Sequence, residues 1–220
     1  MAPDYAEYVR FADTWLPARA GTDGALAMAM AHVILKEFYI DKPSAYFTEY
    51  AKQYTDLPFA VVLEASGEAR VPGRFLRAAD LGAETAHSRW KTVCFDGRAG
   101  SWVVPNGSIG FRWEEAGGRW NLHLKDADTD APVDPLLTYA GASDAWCTVM
   151  LPHFDAHGPG TRTARVPVRR VPTPGGELEV ATVFDLMAAQ LGVARREDDG
   201  GAREPSAAPP AGFDDPGPFT

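Results

Sequence analysis

The strongest constraint on this fold is a helix near the start of the chain that carries almost no charge. The helical spacing of its apolar residues predicts that it covers residues 22–38. The recurring positions are Leu26, Met30, Val33 and Ile34, and alanines fill much of the remaining surface. A helix that is apolar on nearly every side is buried on several of them. We therefore expect neighbouring elements to cover more than one face of this helix.

The beginning of this helix has the features of a ligand-binding turn. Thr22 is a suitable N-cap, and the helix dipole favours the Asp23 carboxylate in the first turn. A helix N-terminus preceded by Gly21 presents free N–H groups to a phosphate, and an aspartate can accept two hydrogen bonds from a guanine edge. Asp4 or Tyr5, at the end of a preceding strand, can accept one from a ribose hydroxyl. A helix cap alone also explains the turn, and caps are the commoner structure.

A second helix and a buried strand are predicted directly after the first helix. The helix covers residues 44–54 and places Tyr46, Tyr50 and Tyr54 on one stripe. We interpret this stripe as packing aromatics rather than as a ligand cage. Residues 59–64 are apolar and rich in β-branched side chains, which predicts a short buried strand.

The remainder of the chain has mainly β character. A turn is predicted at Pro72-Gly73, and short apolar runs separated by turn residues predict a meander of hairpins over residues 90–124. Proline, glycine and charge dominate residues 194–220, which predicts a disordered or linker tail. Further strands are predicted over residues 146–151 and 165–171, and residues 175–193 are predicted as a strand entering a helix that stops at Gly192.

Charge and cysteine content exclude several classes of protein. The formal net charge of −9 argues against a bulk nucleic-acid binder, which needs a basic face. Cys94 and Cys147 are too few for a four-ligand zinc or iron–sulfur site, and we interpret them as buried free thiols. No apolar run is long enough to span a bilayer, and we expect no secretory signal.

The histidines do not predict a catalytic or metal site. His153 and His157 are four residues apart, but Pro152 and Gly158 bracket them, so we predict a loop rather than a metal-binding helix face. His32, among apolar residues, is interpreted as a core or groove histidine. The sequence nominates no catalytic residue and no metal ligand.

Several stretches of the chain resemble one known family. They are PDYAEYVRFADTWLPARAGTDGALAMAMAHVILKEF, YFTEYAKQYTDLPF, GRFLRAADLG, WKTVCFDGRAG, VVPNGSIGFRWEE, VPVRRV and ATVFDLMAAQLGV. In this order they are similar to the catalytic α subunit of the cytoplasm-facing respiratory nitrate reductases, which contain molybdenum bis(molybdopterin guanine dinucleotide). The stretch VPNGSIGFRW is specific to the nitrate-reductase branch, whereas the opening pattern is shared across the molybdopterin oxidoreductases.

The resemblance implies a fold and a cofactor site. The fold is α/β (α+β as a fragment), a partial molybdopterin-oxidoreductase domain. Its implied segments are residues 1–64 (cofactor-facing strand end and helices), 65–181 (β-rich insertion), 182–193 (helix) and 194–220 (tail). One guanine dinucleotide is implied to contact Pro3, Asp4, Tyr5, Gly21, Thr22 and Asp23.

The resemblance also implies that the chain is an internal piece of a longer enzyme. The implied reaction is the two-electron reduction of nitrate to nitrite, but the regions that hold the 4Fe–4S ligands and the molybdenum ligand lie outside this sequence. The chain alone is therefore expected to be inactive. The implied partners are the remainder of the α subunit, an iron–sulfur β subunit and a membrane anchor subunit, at the cytoplasmic face of the cell membrane. The alternatives are a non-catalytic remnant, a cofactor or interaction module that keeps the fold, and a barely folded chain that exposes its first helix.

Overall fold

The computed structural model describes residues 11–16, 18–42, 44–108, 123–155 and 158–193. Its helices come mainly before residue 55 and its strands mainly after residue 59, so the fold is mixed α/β, which confirms the predicted class. No helix in these ranges is both long and apolar enough to cross a membrane.

Two consecutive helices form the first part of the described chain. Helix α1 (Asp23–Leu35) continues into a π-helical turn (Lys36–Asp41), and α2 (Ala45–Tyr54) follows. Both predicted helices are confirmed. The Ser44 side chain caps α2 by accepting a hydrogen bond from the Phe47 N–H at 3.4 Å, and a serine at this position is a favoured N-cap.

Five strands close into a barrel, and two others form a separate hairpin. The strands are β1 (Ala60–Ser66), β2 (Ala69–Phe75), β3 (Cys94–Asp96), β4 (Ser101–Val103), β5 (Ala145–Asp155), β6 (Gly158–Thr173) and β7 (Gly176–Thr182). Around the barrel the order is β1-β2-β5-β6-β7, while β3 pairs with β4. All neighbouring barrel strands are antiparallel except β2 and β5, which meet in parallel at the pair Arg70–Val149.

The predicted turn at Pro72-Gly73 is wrong. Both residues lie inside β2, where the register shifts between the pairs Val61–Phe75 and Leu63–Pro72 and β2 contains one extra residue. Such an irregularity in the ladder tolerates a proline, which has no N–H to donate. The chain reverses instead at Gly67, whose φ of +61° is the left-handed conformation that favours glycine.

The other β predictions agree with the structure where residues are described. The strands predicted over residues 146–151 and 165–171 lie within β5 and β6, and β3 and β4 form the first hairpin of the meander. Strand β7 runs into α3 (Val183–Gln190), and Gly192, at φ +72°, follows its end as predicted. The rest of the meander over residues 109–122 and the tail over residues 194–220 lie outside the described residues.

Helix α3 joins the barrel to the helical part. Its N-cap Thr182 is fully buried and accepts a hydrogen bond from the Asp185 N–H at 2.9 Å. One side of α3, with Leu186, packs against the apolar cluster of the barrel strands. The other side, with Phe184, packs against the end of α1 and the π-helical turn, where the Phe184 and Tyr39 rings meet edge-on at 4.5 Å.

A third apolar cluster covers the opposite side of β1. Val61 and Leu63 belong to the barrel cluster, whereas Ala60 and Val62 pack with residues of the β3 region such as Phe95. The first four residues of β1 are therefore buried on both faces, as their continuous apolar sequence requires. The boundary proposed between residues 64 and 65 lies within β1, and the division into four segments stays a prediction.

The burial predicted for α1 on several sides is wrong for this chain. Leu35, in its last turn, is the buried residue of α1. The packing predicted for the tyrosines of α2 is also wrong, because Tyr46, Tyr50 and Tyr54 stack along an exposed side of that helix. The physical reason is that α3 and its surroundings provide one packing layer for the helices, which covers one side of each.

Candidate functional site

The start of α1 is a tight turn that depends on glycine. Gly21 has a φ of +83°, which side chains rarely adopt, although a Cβ atom there would meet nothing within 4 Å. The backbone conformation, rather than the available space, therefore selects glycine. The turn is closed by a hydrogen bond of 3.1 Å from the Thr22 N–H to the Arg19 carbonyl oxygen.

Thr22 is the N-cap residue, as predicted, but its side chain does not cap the helix. Its hydroxyl donates a hydrogen bond of 2.7 Å back to the Arg19 carbonyl oxygen. The Thr22 carbonyl oxygen accepts the first intrahelical bond, from the Leu26 N–H at 3.1 Å. The Thr22 hydroxyl thus leaves the N–H groups of the first turn without a side-chain cap, at the positive end of the helix dipole.

The turn faces solvent. Residues 21–24 are all exposed, and Asp23 lies in the first turn with its side chain accessible. The structure therefore brings together Gly21, Thr22 and Asp23 in one accessible turn. The other residues proposed for this site, Pro3, Asp4 and Tyr5, lie outside the described residues, so the structure gives no geometry between the two groups.

His32 has a structural contact that is consistent with its interpretation as a core or groove histidine. The half-buried ring donates a hydrogen bond from Nδ1 to the Leu191 carbonyl oxygen at 2.7 Å. This contact ties the last turn of α1 to the residues that follow α3.

The loop predicted around His153 is wrong at that residue. His153 lies in β5, where its backbone pairs with Gly160 of β6. Pro152 was expected to interrupt the strand, but it lies within β5 and pairs with Thr161 of β6. His157 lies outside the described residues.

Both cysteines are free thiols, as predicted. Cys94 is buried, and desolvation raises the pKa of its thiol far above the ordinary range. Cys147 is only half-buried, and burial raises its pKa to about 11.

Within the described ranges, no three histidine, cysteine, aspartate or glutamate side chains lie together as metal ligands.

An exposed apolar stripe, which was not among the sequence-based predictions, runs along α1 and the π-helical turn. We define the outer face of α1 as Met30, Val33, Ile34 and Phe38, whose side chains are 43%, 47%, 46% and 50% exposed. The signal was present in the sequence, because residues 24–35 contain no aspartate, glutamate, lysine or arginine. That signal indicates a covered helix, but it does not say which part of a protein covers it.

Known relatives match the chain along most of its length. No protein-family profile matches it. The nitrate reductase alpha chain of Bacillus subtilis is 44% identical over 220 residues, which is 100% of this chain and 17% of the relative. The nitrate reductase alpha subunit of Mycobacterium tuberculosis H37Rv is 46% identical over 198 residues, 89% of this chain and 16% of the relative. The respiratory nitrate reductase 1 alpha chain of Escherichia coli K12 is 41% identical over 213 residues, 90% of this chain and 17% of the relative. The chain thus spans about one sixth of the length of these relatives.

Proposed function

We propose that this chain, a homologue of one segment of the nitrate reductase α chains, is a segment of a molybdenum-dependent nitrate reductase α subunit. The relatives named above are oxidoreductases by name, and their similarity extends through both the helical part and the barrel. The proposed activity of the whole enzyme is the reduction of nitrate to nitrite.

The proposed role of the opening turn is to bind one guanine dinucleotide of the bis(molybdopterin guanine dinucleotide) cofactor. The observation that carries this proposal is the Thr22 hydroxyl, which bonds to Arg19 and leaves the first-turn N–H groups uncapped and exposed. Those N–H groups would bind phosphate oxygens, and the Asp23 carboxylate would accept hydrogen bonds from the guanine N1–H and amino group. Asp4 or Tyr5 would accept one from a ribose hydroxyl, with Pro3 beside them.

The rest of the reaction depends on groups outside this chain. When bound, the molybdenum cofactor supplies the two-electron chemistry, and 4Fe–4S clusters deliver the electrons. This chain would bind and orient part of the cofactor, and one turn cannot position a complete active site. The proposed partners are the remainder of the α subunit, an iron–sulfur β subunit and a membrane anchor subunit, at the cytoplasmic face of the membrane.

The test replaces the matching segment of the Bacillus subtilis α chain with this chain and measures the bound cofactor by native mass spectrometry. We expect the chimaera to hold guanine dinucleotide and to reduce nitrate with a reduced dye. Asp23→Ala should lower the cofactor content, whereas Asp56→Ala, at an exposed position after α2, should not. Full cofactor content in the Asp23→Ala chimaera contradicts the assigned turn, and nitrate turnover by the isolated 220-residue chain contradicts its inactivity.

The second candidate function is a non-catalytic binding module. The closed barrel favours it, because its strands pack an apolar core from residues of this chain. The DNA flanking this reading frame separates the two candidates. Frames that encode the cluster cysteines and the molybdenum ligand on both sides support the enzyme segment, and their absence supports the module.

A further inference from the structure

The outer face of α1 is a continuous apolar surface rather than a scatter of single residues. Met30, Val33, Ile34 and Phe38 are separated by three, one and four positions, so they follow one side of the helix. Each is between 43% and 50% exposed. On the opposite side, Leu35 and Tyr39 are buried against α3 and Leu137.

The α1 part of this face also lacks the charge that a water-facing helix normally carries. No charged residue lies between Asp23 and Lys36, whereas Lys36 and Glu37 of the π-helical turn lie between Ile34 and Phe38. A helix side that faces solvent is usually polar, whereas one that is covered by another element is apolar. Contiguous exposed apolar patches on soluble proteins mark interaction surfaces.

We propose that the outer face of α1 packs against an uncharged, apolar surface of the remainder of the nitrate reductase α subunit, formed by residues outside this chain. This inference rests on the proposed function. The occupant follows from length, since the relatives are about six times longer than this chain and contain the matching segment within one polypeptide. The partner surface is uncharged because a charged group buried against Met30, Val33, Ile34 and Phe38 would meet no counter-charge among these four side chains.

The test measures the accessibility of one position on this face in two settings. Ile34→Cys is reacted with a maleimide in the isolated chain and in the Bacillus subtilis chimaera. We expect labelling in the chimaera to be slower by at least about tenfold, because thiol reactivity requires access. The native thiols contribute little background, since Cys94 is buried and the Cys147 pKa is about 11.

The matched control is Leu35→Cys at the neighbouring position, which is 3% exposed in this chain. It should label slowly in both settings and so calibrates the rate of a covered thiol. Denatured samples of each variant give the rate of a fully accessible thiol, and circular dichroism of the native samples reports whether each variant is folded.

Three outcomes overturn the inference. Equal labelling of Ile34→Cys in both settings, in a chimaera that reduces nitrate, overturns the docking and leaves the proposed function standing. Protection in the isolated chain that grows with protein concentration assigns the face to a second copy of this chain. A chimaera that neither holds the cofactor nor reduces nitrate contradicts the proposed function, and with it this partner.

Discussion

The barrel and the helical part of this chain differ in where their large apolar side chains lie. Twelve large apolar residues are exposed within the described ranges, and ten of them precede Thr55. The other two are Val71 and Trp90. Val71 is therefore the one large apolar residue of the described barrel strands among these twelve, whereas the helices expose a substantial part of theirs.

The reason for the difference is the number of layers that each region can build from its own residues. The barrel closes on itself, and β1 is covered on both faces by clusters that this chain provides. The helices pack on α3 along one side only. Apolar composition thus predicts that a helix is covered, but burial depends on whether the covering residues belong to the same chain.

The largest expected effect is a difference in the free energy of unfolding between two phenylalanine substitutions, one buried and one exposed. Phe184→Ala removes a 1% exposed ring between α3 and Tyr39, and should lower the free energy of unfolding by about 3–5 kcal/mol. Phe38→Ala, at a 50% exposed position, should cost less than about 1 kcal/mol. Urea unfolding of both variants measures the contrast. Equal losses would mean that Phe38 is buried in the isolated chain, and the absence of a cooperative transition in the native chain would favour the barely folded alternative.

The next effect concerns the polar contacts that hold α3 in place. The buried Asp185 carboxylate accepts hydrogen bonds from the Thr138 hydroxyl and from the Tyr139 N–H at 2.9 Å. Asp185→Ala leaves these donors without their acceptor and should lower the free energy of unfolding by about 1–3 kcal/mol. Asp56→Ala, at an exposed site, should change it by less than about 0.5 kcal/mol. An unchanged urea midpoint for Asp185→Ala would show that other groups satisfy these donors.

The features that the sequence predicts well are those set by local spacing. The helix over residues 22–38, the strands now assigned to β5 and β6, and the stop at Gly192 follow from apolar period and glycine geometry. Barrel closure depends on the single parallel pair Arg70–Val149, which joins residues far apart in the sequence and leaves no local pattern. Pro72-Gly73 was misassigned for a related reason, because the register shift that accommodates it is a property of two strands.

In the candidate site, too, the sequence predicted the backbone turn but not the hydrogen bond that one side chain forms. The turn at Gly21 was predictable, since a glycine before a cap residue commonly takes a positive φ. The direction of the Thr22 hydroxyl was not, because a hydroxyl can accept from the helix N–H groups or donate to a preceding carbonyl oxygen, and both satisfy it. The apolar sequence of α1 likewise predicted burial on several sides, and it did not show that this chain leaves Met30, Val33, Ile34 and Phe38 exposed.

A smaller effect is expected for an exposed ion pair in the barrel part of the chain. It tests whether burial, rather than the part of the chain, determines how much a contact contributes to the free energy of unfolding. Arg74 lies in β2, and its guanidinium donates hydrogen bonds of 2.6 and 2.8 Å to the Asp80 carboxylate, which hold the pKa of Asp80 below its ordinary value of 3.8. The stabilisation is therefore present above about pH 4 and is lost as the pH falls through the lowered pKa. Asp80→Asn should cost at most about 1 kcal/mol at pH 7, because Arg74 is exposed to solvent.

The measurement is urea unfolding of Asp80→Asn and of the native chain from pH 7 to pH 2, where the difference between them should shrink with falling pH. Asp130→Asn provides the control, since Asp130 pairs with Lys125 at an exposed site and should change stability little at any pH. A difference that grows toward low pH would contradict the assigned direction of the Asp80 pKa.

The smallest expected effect is on the outer face of α1 in the isolated chain. Ile34→Glu places a charge on a 46% exposed position, where water solvates it and glutamate favours helix, so the free energy of unfolding should change by no more than about 0.5 kcal/mol. Leu35→Glu, one residue further along, buries the same charge against α3 and should cost more than about 2 kcal/mol. Urea unfolding compares the two. A large loss for Ile34→Glu would mean that this chain covers its own helix, and the helical part and the barrel would then not differ in how they bury apolar surface.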